Sequence, residues 1–181
     1  MKLVMLDYET PSRQFLIDTI EQKATRDQTQ TNINLTLAHC RVYQPGRNGC
    51  DDFEPFRDEI QRVIVSAVND KNLIVDKNMW GLTYAGDQST EFHTHRNRGG
   101  YSAIYYLQAD QNSGYLRFKD PDCKIQPTTN CLLIFKSNWH HAVLPNVSKQ
   151  SKRISIAMEI NWQLIVINTH TRYEDWTMQY L

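Results

Sequence analysis

The sequence predicts a mainly β fold, an antiparallel barrel or double-sheet jelly roll with N-terminal helices packed outside one sheet. Three observations carry that prediction. After Asn72 the chain breaks into short runs rich in β-branched and aromatic residues, at 73–75, 80–84, 101–108, 115–119, 131–135, 142–144 and 154–167. Gly, Asp, Asn and Pro punctuate the gaps between those runs. The first 72 residues instead hold two stretches with helical periodicity.

Taken in order, Ser12 stands where it would cap a helix running to Gln22, with Phe15, Leu16 and Ile20 on one face. Residues 24–34 are polar and aperiodic, which reads as an exposed connection. Leu35, Leu37, His39, Arg41 and Tyr43 alternate, predicting a strand over 35–43, and residues 44–49 (QPGRNG) form a turn. Asp51 or Asp52 can cap a second helix, with Pro55 in its first turn, where a missing N–H costs nothing. Phe53, Phe56, Ile60, Val63, Ile64 and Ala67 fall on one stripe, so helix 53–68 must cover itself against a sheet or another helix.

The composition narrows the class. The chain has 181 residues, 20 Lys+Arg against 20 Asp+Glu, and 40% hydrophobic residues. That length and balance predict one globular domain over 1–181. Residues 1–72 would support a β core at 73–168, and a segment at 169–181 would close it. That last segment carries Tyr173, Trp176, Met178 and Tyr180, too apolar for a free tail. It is expected to dock on its own chain or make a dimer contact, giving a monomer or homodimer. Zero net charge disfavours a nucleic-acid binder. No apolar run approaches the ~18–20 residues of a membrane span, and Asp7 ends the short N-terminal apolar patch. The expectation is a cytoplasmic protein with no membrane partner. Cys40, Cys50, Cys123 and Cys131 form no C-x-x-C pair and read as reduced thiols.

The histidines then stand out: His39, His93, His95, His140, His141 and His170. If 92–95 is extended, His93 and His95 share one face, a platform for a divalent transition metal. A third ligand must come from elsewhere, and the adjacent pair His140–His141 can aim only one member at that face. Twelve residues beyond His141, Arg153 opens the apolar run Ile154-Ser155-Ile156-Ala157-Met158. An Arg facing a barrel interior is costly unless it meets an anion, and its planar fork suits a carboxylate. Each motif alone is commonplace; their joint order points to a metal site that also holds an oxo acid.

The stretch from Trp80 to Asn161 resembles the iron(II)/2-oxoglutarate-dependent oxygenases of the prolyl-4-hydroxylase-like branch, nearest to the small oxygenases of phages and marine bacteria. The resemblance lies in Trp80-Gly81-Leu82-Thr83-Tyr84 with its Gly86-Asp87 turn, His93-Thr94-His95, Tyr101–Leu107 (YSAIYYL), Gly114–Phe118 (GYLRF), Leu133-Ile134-Phe135, His141–Asn146 (HAVLPN) and Arg153-Ile154-Ser155-Ile156. It covers a little under half the chain. It implies a double-stranded β-helix holding Fe(II), with 2-oxoglutarate and O2 as cosubstrates and ascorbate as an auxiliary reductant. By the resemblance, His93 and His141 are metal ligands, Arg153 pairs with the 5-carboxylate of 2-oxoglutarate, and Ser155, Tyr84 and Tyr106 line the cosubstrate. His141 takes precedence over His140 because the family has H-x-V followed by Pro. The implied reaction hydroxylates a C–H bond of a peptidyl residue or small molecule, with release of succinate and CO2.

Position 95 departs from the pattern, since most of the superfamily has Asp or Glu there. The expected centre is therefore His93, His95 and His141, three neutral ligands that would also accept Zn or Ni. Two rival readings remain: a three-His cupin-type dioxygenase that does not use 2-oxoglutarate, and a non-catalytic β-sandwich module with a metal. A nucleic-acid demethylase is a third, disfavoured reading, for which Arg96, Arg98, Lys149 and Lys152 could form a basic rim, although a few rim charges are usually only solvated surface. Trp139 and Tyr101 could offer an aromatic wall at the mouth or be packed strand residues, the more frequent use of such side chains.

Overall fold

The computed structural model describes residues 3–24, 40–44, 51–95 and 100–162. His39, His170, Cys50, Arg96, Arg98, the connection at 25–34, the strand portion 35–39, the turn residues 45–49, the strand end at 163–167 and the segment 169–181 lie outside the described residues. Twelve elements follow one another: Val4–Asp7 (β1), Arg13–Lys23 (α1), Arg41–Tyr43 (β2), Glu54–Val68 (α2), Leu73–Ala85 (β3), Thr90–His93 (β4), Tyr101–Gln108 (β5), Leu116–Lys119 (β6), Asp122–Ile125 (β7), Cys131–Lys136 (β8), His141–Val143 (β9) and Lys152–Trp162 (β10). The strands form a six-stranded sheet, ordered β1-β8-β5-β10-β3-β2, and a four-stranded sheet, ordered β4-β9-β6-β7. All pairings are antiparallel, as a jelly-roll fold requires.

Both helices lie against the large sheet, as their apolar stripes demand. Leu16, Ile17 and Ile20 of α1 and Phe56, Ile60 and Ile64 of α2 are buried, in one cluster with Ile154, Ile156, Met158 and Ile160 of β10. Each such side chain contributes about 1.5–3 kcal/mol by leaving water. Gly81 lets α1 approach β3, because a Cβ there would stand 2.5 Å from Ile20 Cγ1.

The helix details differ from the sequence reading in four places. Phe15 is 56% exposed, since at 3.6 residues per turn it points about 100° from Leu16 and about 140° from Ile20. Ser12 precedes α1 without making a side-chain cap bond. Asp51 acts one step before α2, its Oδ1 accepting from the Phe53 N–H (3.2 Å), while Asp52 joins Lys23 and Tyr43. Ala67 is exposed at the end of the stripe, and Asn69 terminates the helix in the left-handed region at φ 57°.

The β body follows the predicted runs closely, with instructive exceptions. The runs at 73–75 and 80–84 are one strand, β3, whose polar residues 76–78 sit where its pairing with β10 slips between Met158 and Ile160. A bulge absorbs those extra residues without ending the strand. β1 and β7 are edge strands of four residues each, too short to give a clear alternating pattern. Alternation on the large sheet separates its faces. The helix side takes the apolar cluster. The inner side takes Arg153, Ser155, Ala157 and Glu159 of β10, aligned with Tyr84, Leu82 and Trp80 of β3 and Tyr106, Ile104 and Ser102 of β5.

Candidate metal and cosubstrate site

The four-stranded sheet builds the metal end. In the β4–β9 ladder His93 stands directly opposite His141, and their rings are 4.3 Å apart. His95 lies two residues past β4, where its backbone N–H donates to the Ser137 carbonyl (2.9 Å) and continues the line of the strand. Its ring is 5.2 Å from His141 and 5.3 Å from His93. One ring nitrogen from each of the three lies within 4.8 Å of the others. That is somewhat wider than a loaded octahedral face, where neighbouring donors at ~2.1 Å from the ion sit about 3 Å apart. His140 is exposed and turned away, as adjacency to an inward His141 dictates.

Each imidazole has its Nδ1 directed at an oxygen. His93 Nδ1 lies 2.8 Å from the Glu91 carbonyl and His141 Nδ1 2.9 Å from the Trp139 carbonyl. A carbonyl can only accept, so Nδ1 carries the proton and Nε2 keeps a lone pair for a metal. His95 Nδ1 faces Glu159 Oε1 at 3.4 Å. Burial is the main cause that pushes His141 down to about 3, and it also lowers His93, with the neighbouring imidazoles adding to both shifts. Both rings therefore stay neutral, the form that binds metal. The chemistry of this donor set fits a divalent first-row ion such as Fe(II).

The cosubstrate end lies further along the inner face. Arg153 is 1% exposed, opposite Tyr84 in the ladder, with its guanidinium 4.5 Å from the Tyr84 ring centroid. Its Nη1 donates to the Gly114 carbonyl. Its Nη2 is buried without a partner, and no carboxylate among the described residues pairs with it. A buried N–H left unmade costs about 1–3 kcal/mol, more when charged. The arrangement fits an incoming carboxylate. Tyr106 faces Ser155 across the strands, and both are buried. Burial pushes the Tyr106 phenol up to about 12 and Tyr84 well above its ordinary value, so both remain protonated donors. Tyr84 shares a hydrogen bond with Thr90 Oγ1 (2.7 Å). Between the two ends, Leu82 and Ala157 are only half-buried.

The seven residues expected from the sequence thus fall on one interior: His93, His95 and His141 at one end, Arg153, Ser155, Tyr84 and Tyr106 at the other. Of the two alternatives for Trp139 and Tyr101, the packed one describes both. Tyr101 sits on the opposite face of β5 from Tyr106 and packs on Trp162 (5.8 Å), while Trp139 packs edge-on against Phe118 (5.6 Å). Of the basic rim, Lys152 pairs with Glu21, and Lys149 is exposed. Three residues went unassigned in the sequence. Glu159 continues the period-2 series from Arg153 but sits in the bulge between Met158 and Ile160. Trp80 presents its indole 6.5 Å from His95, with Nε1 buried and unpartnered. Asn146 lies inside a recognised motif but had no residue-type signal for a role.

Residues 79–161 match the family model of the 2OG-Fe(II) oxygenase superfamily. No curated protein sequence matches the chain. A prolyl-4-hydroxylase from Pseudomonas putida superposes with a TM-score of 0.64 at 15% identity, covering 89% of this chain and 92% of that chain. The viral collagen prolyl hydroxylase of Paramecium bursaria Chlorella virus-1, in its 2OG complex, gives 0.64 at 14% identity, covering 88% and 96%. A prolyl hydroxylase from Trichoplax adhaerens, in complex with a hypoxia inducible factor oxygen degradation domain peptide fragment, gives 0.63 at 18%, covering 88% and 83%.

The chain carries a 2OG-Fe(II) oxygenase domain on a fold shared with prolyl-4-hydroxylase-like oxygenases. The family match over residues 79–161 and these fold neighbours indicate an Fe(II)- and 2-oxoglutarate-dependent oxygenase, a family that uses Fe(II), 2-oxoglutarate and O2. No helix among the described residues is long and apolar enough to cross a membrane.

Proposed function

We propose that this protein is a dioxygenase that hydroxylates a C–H bond of a peptidyl residue, with His93, His95 and His141 holding Fe(II) and Arg153 taking the 5-carboxylate of 2-oxoglutarate. The observation that carries the reading is the buried, unpartnered Nη2 of Arg153 on the same interior as the three-His cluster. His93, His95 and His141 would hold the iron, and the chemistry supplied there would be oxidative decarboxylation of 2-oxoglutarate to succinate and CO2 coupled to oxygen insertion. The chain does the rest. The Glu91 and Trp139 carbonyls fix the His93 and His141 tautomers. Arg153 draws the distal carboxylate to one depth, Ser155 and Tyr106 line its path, and the apolar faces of Leu133 and Phe135 keep water out. Glu159 places a negative charge one layer outside the ligands, where most relatives by the resemblance have a carboxylate ligand.

The similar proteins suggest the order in which to test substrates. Those above are prolyl hydroxylases, one bound to a peptide fragment, which favours peptidyl proline. HygX from Streptomyces hygroscopicus, crystallised with hygromycin B (TM-score 0.58, 10% identity, 88% of this chain and 82% of that chain), makes a free small molecule the second class.

The test is an anaerobic titration with Fe(II) and 2-oxoglutarate, following the metal-to-ligand charge-transfer band. The wild type is expected to develop the band. Arg153→Ala is expected to bind Fe(II) normally and to lose about 10²–10³-fold in 2-oxoglutarate affinity, as removal of one partner of a buried charge pair implies. A wild type without the band, or an Arg153→Ala protein with unchanged 2-oxoglutarate affinity, refutes the reading.

A further inference from the structure

We propose that Asn146 is the positioning residue for the cosubstrate end of the site, fixing the Arg153 guanidinium by clamping the three pieces of chain that support it. The inference rests on Arg153 being the carboxylate-binding residue.

Asn146 lies in the loop after β9 and is 8% exposed. Its Oδ1 accepts from the Gly114 N–H (3.0 Å). Its Nδ2 donates to the Tyr84 carbonyl (3.2 Å) and to the Ser151 carbonyl (2.9 Å). Its own backbone N–H donates to the Gly86 carbonyl (3.1 Å). One amide side chain thus satisfies three of its four hydrogen-bonding positions inside the protein, each on a different element.

All three elements support Arg153. Gly114 provides the carbonyl that receives Nη1. Its peptide unit is pressed so closely to the Leu144 and Pro145 carbonyls that a Cβ would collide with both. Tyr84 provides the ring face beneath the guanidinium. Ser151 precedes Arg153 by two residues at the start of β10, and its Oγ is anchored on Asp110 (3.1 and 3.2 Å). The carbonyl, the ring and the strand start therefore share one hub. Asn146 makes no hydrogen bond to Arg153 or to the three histidines. Its effect on the metal end should be nil.

That asymmetry supplies the test. Ni(II)-loaded protein is titrated by calorimetry with 2-oxoglutarate and with pyruvate, a 2-oxo acid that lacks the distal carboxylate. Wild type is expected to prefer 2-oxoglutarate strongly. Asn146→Ala is expected to weaken 2-oxoglutarate by about 10–100-fold, the range for loss of an outer-shell partner, with pyruvate and Ni(II) affinity unchanged. A residue that merely held the loop in shape would lower both oxo acids together. The proposal is overturned if folded Asn146→Ala keeps the wild-type ratio of the two affinities. Should Asn146→Ala fail to fold, Asn146→Asp retains the acceptor for Gly114 but cannot donate to the Tyr84 and Ser151 carbonyls, and the same ratio is read on it. A wild type with no preference for 2-oxoglutarate over pyruvate overturns both this proposal and the role of Arg153, whereas a preference that survives in both variants overturns this proposal alone.

Discussion

The two faces of β10 carry opposite chemistry on one strand. Ile154, Ile156, Met158 and Ile160 enter the apolar cluster beneath the helices, and all are at most 1% exposed. Arg153, Ser155, Ala157 and Glu159 alternate with them and face the interior between the sheets. The first set lowers the free energy of the folded chain through burial. The second set holds a guanidinium and a carboxylate where desolvation opposes them. The lesson is that the period of two lets a single strand anchor the fold and build the site without compromise between the tasks. Stability is concentrated on one face and reactivity on the other, as the balance of strain and support at functional sites requires.

That division can be broken from either side. Ile156→Ala is expected to cost about 2–5 kcal/mol of unfolding free energy, through lost burial and the cavity left behind. Arg153→Met, its neighbour but two, is expected to leave stability unchanged or raised, because it removes a buried charge lacking an anion. Urea unfolding of both variants checks the contrast; equal destabilisation would erase it. A smaller effect sharpens the inner face itself. Glu159→Gln is expected to weaken Fe(II) or Co(II) binding by about 10–100-fold, and to have no further effect once His95 is already Ala. A metal titration of the two single variants and the double variant reads this coupling. A further effect concerns pH. His141 refuses a proton down to about 3 in the folded chain, against 6.5 for the ordinary side chain, and His93 shifts in the same direction. Between those values the unfolded chain takes up protons that the folded chain does not. The metal-free protein should therefore be fully stabilised above pH 6.5 and lose stability as pH falls below it, by up to about 1.4 kcal/mol per unit from His141, with His93 acting in the same direction. Unfolding midpoints at pH 7.5 and 5 measure it, and a rise in stability at pH 5 would contradict it.

Legibility in the sequence followed the strength of the local signal. Residues 101–108 were readable as β5 because their β-branched and aromatic character runs unbroken between turns. The 3.6-residue stripe of α2 was readable through Phe56, Ile60 and Ile64. β1, β4 and β7, at four residues each, hold too few alternations to stand out. The merging of 73–75 with 80–84 was hidden because a bulge keeps a polar stretch inside a strand. Tyr101 and Tyr106, five positions apart, must face opposite ways on one strand, and only the sheet decides that Tyr106 takes the interior face.

By itself the sequence determined the alternation of the strands, the helical stripes, the His-x-His pair and the Arg at the head of an apolar run. These are local properties, set by residue type and spacing along one segment. The tertiary structure alone decided that His141 stands across a ladder from His93, that Glu159 backs His95, and that Asn146 gathers Tyr84, Gly114 and Ser151. Those residues lie as far as 67 positions apart, Tyr84 to Ser151, and are brought together by antiparallel register and by packing of the two sheets. No window of sequence contains that information, because each contact depends on which strands become neighbours and in which register they pair.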